Sequence, residues 1–501
     1  MNAPLAELKT RLAEINDLRS AAALLHWDQA TYMPPGGAEA RGRQLSTLSR
    51  LAHEKLSDPV IGGLLERLES KAGDWAPDSD EAALVRVTQR EHDRASNVPS
   101  AFVGTLSSHQ SALYEAWTRA RPANDFRAVA DGLRRTVDLS RQLADYFPGY
   151  AHVADPLIDE ADTGMTVATI RPLFAALRAN LVPLVQSITS KPVADDACLH
   201  GLFPEDRQRV FGEEVIRRFG YDFDRGRQDK THHPFMTKFS LGDVRITTRF
   251  REDDIGDGLF STLHEAGHAL YEQGIDRAYE ATPLGSGTSS GVHESQSRLW
   301  ENLVGRSRSF WMYWFPRLQA IFPAPLAGVS LDRFYRAINK VERSLIRTDA
   351  DELTYNLHVM IRFDLECALL EGTIEVRDLP EAWRERYRTD LGVTPDDDKN
   401  GVLQDVHWYG GIVGGQFQCY TLGNIMASQI FDAAIRARPN IVAEIERGGF
   451  STLHGWLRDT MYRHGSKYLP EELIQRVTGH SIGIDPYIDY LRNKFNNLYG
   501  P

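Results

Sequence analysis

Phe260-Ser261-Thr262-Leu263-His264-Glu265-Ala266-Gly267-His268-Ala269-Leu270-Tyr271 contains the pattern His-Glu-x-x-His. On a helix, residues four apart lie on one face, so His264 and His268 project together as two ligands of one metal ion must. Glu265 follows His264 and sits beside that pair, within reach of a water activated by the ion. Leu259, Leu263, Ala266 and Leu270 recur at three- and four-residue steps, which predicts a helix, and Gly274 is a suitable stop. Gly267 costs such a helix about 1 kcal/mol relative to Ala, so a close approach to its backbone is expected there. The bare motif is only suggestive, since roughly 0.03–0.04 matches arise by chance in a chain of this length.

A third ligand makes the case stronger. Thirty residues after His264 comes Gly291-Val292-His293-Glu294-Ser295-Gln296, beyond a Gly/Ser-rich connection that reads as a loop from Pro283 to Gly291. Two His and one Glu, with a fourth position for water, form a catalytic zinc arrangement rather than a closed structural one. Glu272 and Glu280 are nearer in sequence and compete for the carboxylate role.

The chain has 501 residues, 42% of them hydrophobic and 25% charged, which is ordinary for a globular protein. Length alone allows two to four domains or one large helical enclosure. The formal charge of −12 argues against a general nucleic-acid binder. Cys198, Cys367 and Cys419 are far apart, with no Cys-x-x-Cys, so each reads as a small buried hydrophobe. The N-terminus, Met1 to Leu25, intersperses charges through its apolar positions. It reads as an amphipathic helix rather than a signal peptide, and no apolar run is expected to approach a membrane span. A cytoplasmic location follows.

Residues 1 to about 230 are expected to be mostly helical, with Leu8, Leu12, Ile15, Leu18 and Ala22 on one stripe. His26-Trp27-Asp28 precedes the break at Met33-Pro34-Pro35 and is as readily a packed helix end as a site. Lys238 to Phe250 has β-branched alternation around Leu241-Gly242-Asp243, a predicted hairpin. Val244, Ile246, Thr248 and Phe250 share one face; Arg245, Thr247 and Arg249 share the other. An edge strand beside the metal helix could pair with extended substrate backbone. Further on, Arg347, Asp351, Tyr355 and His358 fall at steps of four, four and three, a spacing most often met on a solvated helix face. Gly401 to Trp408 and the following glycines read as a site-facing loop, and the remainder, such as Asp485 to Leu491, as amphipathic helices.

Six motifs in order carry a resemblance. They are His233-Pro234-Phe235, Asp243-x-Arg245-x-Thr247, His264-Glu265-x-x-His268, His293-Glu294-Ser295-Gln296, Ile346-Arg347-x-x-Ala350-Asp351 and Gly401-x-x-Gln404-Asp405-x-His407-Trp408. Together with His26-Trp27-Asp28 they make the chain similar to the carboxypeptidase Taq family of metallocarboxypeptidases over essentially its whole length. The resemblance implies a mainly α, single-unit fold (residues 1–501) like those of angiotensin-converting enzyme and neurolysin. That fold has a deep substrate groove and a small β-sheet next to the metal helix. It divides into a helical N-terminal part at about 1–230, a metal-site part at about 231–425 and C-terminal helices at about 426–501.

The resemblance also implies a homodimer and one divalent ion per chain, with zinc expected and cobalt able to substitute. Peptides would lose C-terminal residues with broad specificity. By motif position His264, His268 and Glu294 would be ligands and Glu265 the general base. His407 and then His233 are the candidates for supporting the oxyanion. Arg347, and secondarily Arg245, would grip the substrate's terminal carboxylate. Gln416 and Gln418 depart from the family pattern, which has Tyr and Pro there, and this bears on side-chain preference. Arg298 stands at the fourth position after Glu294, where many related sites carry an Asp that orients the first His, so the partner of His264 is not readable from the motif. Two rival readings are an endo-acting oligopeptidase lacking the carboxylate clamp and a non-catalytic peptide-binding protein.

Overall fold

The computed structural model describes residues 3–70 and 75–500 and is mainly α-helical, with one three-stranded sheet. Its contacts group into two compact units, each made of three chain segments. One comprises Met1–Ser96, Asp196–Ile338 and Ile430–Gly479; the other comprises Asn97–Asp195, Asn339–Gln429 and His480–Pro501.

In the first unit, helix Ala3–Thr31 buries Leu5, Leu8, Leu12 and Ile15 against Ile61, Leu64, Leu65 and Leu68 of helix Pro59–Glu69. Trp27 is a packed helix end: it is buried, and the Arg245 guanidinium lies 4.5 Å from its ring centre. A second core is aromatic, with Phe211, Phe219, Trp300, Phe310 and Trp314 in edge-on, tilted and stacked pairs. Such pairs add to the burial of large apolar area.

The hairpin forms as β2 (Met236–Ser240) and β3 (Asp243–Thr248), antiparallel, with an irregularity between Lys238 and Ser240. A short strand β1 (Gln228–Lys230), not foreseen, runs parallel to β3 on its other side, giving the order β1-β3-β2. Val244, Ile246 and Thr248 are buried as expected, but Thr247 is buried too. Its hydroxyl donates to the Phe235 carbonyl and accepts from the Phe235 N–H, which ties the chain entering β2 to β3.

Helix Ile255–Gly274 follows the sheet and packs on β3. A Cβ on Gly267 would lie 2.5 Å from the Gln296 carbonyl oxygen and 2.7 Å from Ser297 Cα, so this is the expected close approach. The approaching element is helix Ser290–Arg298, which continues as a π-helix over Leu299–Gly305.

In the second unit, Phe174 packs edge-on against Phe363, and Trp383 stacks on Tyr387. Here the reading of residues 347–358 as one helix with a solvated polar face is corrected. Arg347–Asp349 is a single 3-10 turn, and the helix begins only at Tyr355 (Tyr355–Glu371). Asp351 accepts the N–H groups of Leu353 and Thr354, a local bond that competes with helix. Arg347, Tyr355 and His358 are all buried. A second correction concerns apolar runs. Helix Val167–Thr189, with a mean hydropathy of 1.2, is long and apolar enough by length and composition to cross a membrane. Its Ile170, Phe174, Leu177, Leu181 and Val185 are buried, and Arg178 pairs with Asp364 at 2.6 Å. All three cysteines are free and buried.

Gly267→Ala gains about 1 kcal/mol of helix propensity but drives a methyl into fixed backbone, an overpacking cost of about 1–3 kcal/mol. Thermal unfolding of the metal-free variant should therefore show a net loss; a raised Tm would contradict the close approach.

Candidate metal centre

Two N-caps set the geometry of the centre. The Asp254 carboxylate accepts the Gly256 N–H at 2.7 Å and starts the helix Ile255–Gly274. The Ser289 hydroxyl accepts the Val292 N–H at 3.1 Å and starts the helix Ser290–Arg298. With Gly267 allowing contact, Glu294 is brought opposite His264 and His268. One donor atom from each of the three lies within 4.8 Å of the others. Glu294 Oε2 is 3.7 Å from His264 Nε2 and 3.5 Å from His268 Nε2. Ligands about 2.1 Å from a tetrahedral ion stand about 3.4 Å apart, so these residues fit a zinc-sized ion.

Each donor has a partner behind it. His264 Nδ1 lies 2.9 Å from Glu301 Oε2, which identifies the partner that the sequence left open. Arg298 Nε donates to Glu294 Oε1 at 2.7 Å, and its Nη1 reaches Glu301 Oε2 at 3.3 Å. His268 Nδ1 meets His293 Nδ1 at 2.6 Å, and His293 Nε2 meets Glu272 Oε1 at 3.0 Å. Neither rival carboxylate therefore faces the donors as Glu294 does: Glu272 stands behind His293, and Glu280 accepts the Leu241 N–H at 3.0 Å.

Burial raises the Glu265 carboxyl to about 7, with the nearby Glu294 and Glu301 charges adding to it. Burial also pushes the His268 imidazole down to about 4. Burial works the other way on Glu294, but Arg298 and the two imidazoles outweigh it and hold this carboxyl well below its usual range. Glu301 and Glu272 are likewise held at about 2, against burial, by Arg298 with His264 and by Lys238 with His293. Glu294, Glu301 and Glu272 are thus held ionised and His268 neutral, while the Glu294 and Glu301 carboxylates, against burial, raise the His264 imidazole above its usual range.

Of the other residues singled out, His233 is exposed between β1 and β2 and has no hydrogen bond among the described residues. Arg245 is engaged bidentately by Asp243, both bonds at 2.8 Å, between Trp27 and Phe239. In the second unit, Arg347 Nε donates to Asp405 Oδ2 at 2.6 Å and Nη1 to the Tyr355 hydroxyl at 3.1 Å. Arg362, fully buried, donates to the same Asp405 oxygen at 3.1 Å. His407 Nδ1 sits 2.5 Å from Asp405 Oδ1, leaving Nε2 toward the Tyr420 hydroxyl at 3.5 Å. Asp405 and Arg362 had been given no role; that Asp405 lies two residues before His407 was the signal available. Of the two departures from the family pattern, Gln418 is fully buried on Asp162 and Gln416 is half-buried.

A helical protein with two imidazoles, a carboxylate and an adjacent buried glutamate around one point belongs with the metallopeptidases. The carboxypeptidase Taq (M32) metallopeptidase family matches residues 7–495, and the chain belongs to that family. It is 43% identical over 493 residues to thermostable carboxypeptidase 1 of Thermus thermophilus, with 96% of each chain covered. It is 36% identical to carboxypeptidase 1 of Bacillus subtilis, with 97% of each covered. A crystal structure of the M32 carboxypeptidase from Deinococcus radiodurans R1 superposes with a TM-score of 0.97 at 50% identity, covering both chains completely. The protein is therefore a metallocarboxypeptidase, a hydrolase of peptides that uses a divalent metal ion.

Behind His407, Trp408 Nε1 donates to Glu366 Oε1 at 2.9 Å, and burial raises this carboxyl to about 7. A folded-state value raised above the unfolded one near 4.5 gives a contribution complete below pH 4.5 and lost as pH rises through 7. Over that interval wild type should lose up to about 3 kcal/mol relative to Glu366→Gln, whose amide stays neutral. Denaturant melts from pH 5 to pH 8 check this, and parallel curves would contradict it.

Proposed function

We propose that the protein releases C-terminal residues of varied side chain from peptides, with Glu265 as general base and His264, His268 and Glu294 holding the ion. The observation that carries this reading is the convergence of those three donor atoms beside Glu265. Two imidazole nitrogens and a carboxylate suit zinc, and the same donor set would accept cobalt. When bound, the ion makes a water more acidic and polarises the scissile carbonyl. The chain supplies the rest. The Glu265 carboxylate accepts the attacking water's proton and returns it to the leaving amine. The Met236 backbone at the start of β2 hydrogen-bonds that carboxylate, and β2 is an edge of the sheet, the kind of strand that can pair with an extended peptide.

His407, fixed through Nδ1 by Asp405, offers Nε2 to the developing oxyanion; His233 is the second candidate for that role. Arg347 takes the substrate's terminal carboxylate. Supporting this, two guanidiniums, those of Arg347 and Arg362, share the single Asp405 carboxylate and leave positive charge in excess. Arg245, already paired with Asp243, is the weaker choice. The same reading takes the protein as a cytoplasmic homodimer, which light scattering on the purified chain checks for oligomeric state.

Glu265→Gln should retain the ion but lose several decades of kcat, because the amide cannot accept the proton; near-normal turnover with full metal occupancy would remove Glu265 from this role. For the carboxylate, a charge-assisted contact of about 1.5–3 kcal/mol corresponds to one to two decades of efficiency. Free-acid peptides should therefore be trimmed stepwise from the C-terminus at least about tenfold faster than their amides. Arg347→Ala should narrow that gap by slowing the acids. Mass spectrometry of both series decides it: equal rates with internal products would favour endo cleavage.

A further inference from the structure

His293 belongs to none of the roles above, yet its ring is built into the centre. Its Nδ1 faces His268 Nδ1 at 2.6 Å and its Nε2 faces Glu272 Oε1 at 3.0 Å. The Glu272 carboxylate also accepts the Gly287 N–H at 3.0 Å on Oε1 and the Lys238 ammonium at 2.6 Å on Oε2. Lys238, on β2, is anchored in turn on the Ser286 hydroxyl at 2.8 Å and on the Gly285 carbonyl. The ring lies 4.7 Å from that of His268 and 5.3 Å from that of Tyr271, centre to centre. A Cβ on Gly287 would stand 2.8 Å from His293 Cδ2, so only glycine lets the loop close over it.

We propose that His293 is a positioning residue, which holds His268 as the tautomer with Nδ1 protonated and Nε2 bare. This rests on the reading that His268 is a ligand. A carboxylate paired with Lys238 only accepts, so the proton between Glu272 and His293 sits on His293 Nε2. As a ligand through Nε2, His268 keeps its proton on Nδ1, and across the 2.6 Å contact His293 Nδ1 is the accepting lone pair. The single proton between the two Nδ1 atoms must come from His268, which leaves His268 Nε2 free to donate its lone pair to an ion. Two carboxylates compete for the His268 proton. Glu294 Oε2, 3.5 Å from Nε2, draws it to the end where the ion binds; Glu272, acting through His293, draws it to the other. Without an acceptor at Nδ1, His268 is free to carry its proton on Nε2, and that proton must move to Nδ1 before an ion can take the lone pair.

The test is zinc affinity, measured by competition with a chromophoric chelator on metal-free protein. His293→Phe keeps a ring between Gly287 and Tyr271 but has no acceptor, and should bind zinc roughly 10- to 100-fold more weakly. His293→Gln, whose carbonyl can accept from His268 Nδ1–H, should recover most of that loss. Glu272→Gln should weaken binding roughly threefold or more. The metal-free Tm of His293→Phe is expected to match that of wild type. Binding by His293→Phe within twofold of wild type, or a Gln variant as weak as Phe, overturns the proposal. Should His293→Phe fail to fold, Glu272→Gln decides: unchanged affinity overturns it and a loss supports it. His268→Ala separates the two readings. If it retains zinc, the ligand assignment fails. If it loses zinc while His293→Phe does not, only the role of His293 fails.

Discussion

The centre depends on how closely two helices approach at Gly267. The Gln296 carbonyl and Ser297 Cα stand where a side chain would begin, so helix Ser290–Arg298 lies against the backbone of helix Ile255–Gly274. A Cβ there would stand 2.5 Å from the Gln296 carbonyl oxygen, so any larger residue would have to push the second helix outward to restore ordinary contact. Glu294 is three residues before Ser297, about one turn from the contact, so its position follows directly from that approach. Site geometry and core packing are here the same constraint, and a packing change at Gly267 is also a change in ligand spacing.

That closeness has an electrostatic cost, because the four carboxylates of Glu265, Glu272, Glu294 and Glu301 are buried beside the three half-buried imidazoles of His264, His268 and His293. Isolated, each charge would be expelled or neutralised. Arg298 offsets the cost on one side by bonding both Glu294 and Glu301, and Lys238 offsets it on the other through Glu272. Among the described residues no such cation pairs with Glu265, and its carboxyl alone of the glutamates in the cluster moves up rather than down. The arrangement thus separates acids by neighbour rather than by burial, keeping ionised those that face imidazoles and leaving proton affinity in the one beside them.

The readable parts of the sequence were those in which local periodicity and tertiary role coincide. The stripe Leu259, Leu263, Ala266 and Leu270 both forms the helix and buries it, so the pair His264 and His268 could be placed on its remaining face. The alternation Val244, Ile246 and Thr248 did the same for β3. Where polar spacing imitates a helix without forming one, the reading failed: the steps through Arg347, Asp351, Tyr355 and His358 cross a 3-10 turn, with Asp351 bonding the local backbone instead. The interleaving of segments between the two compact units leaves no mark on composition, because helices of similar texture supply both. β1 is three residues long, too short for any periodicity, and the partners Glu301, Glu272 and Asp405 are surface-type residues; only the fold reveals that the two glutamates are buried and Asp405 half-buried.

Arg298 shows how one substitution in a pattern redistributes roles along a helix. At the fourth position after Glu294 a carboxylate would face the first imidazole; a guanidinium there instead turns back onto Glu294 Oε1. The carboxylate that reaches His264 Nδ1 comes from Glu301, seven residues on and so again on the same face. It lies within the π-helical stretch Leu299–Gly305, the kind of local widening often found at functional sites. One continuous helical segment thus addresses both ends of His264: Glu301 holds Nδ1 at 2.9 Å, and Glu294 faces Nε2 across 3.7 Å. With Oε1 committed to Arg298, Glu294 keeps Oε2 as the oxygen facing both imidazoles. The Arg298 cation, by taking one oxygen of Glu294, is what fixes the other toward the imidazole pair.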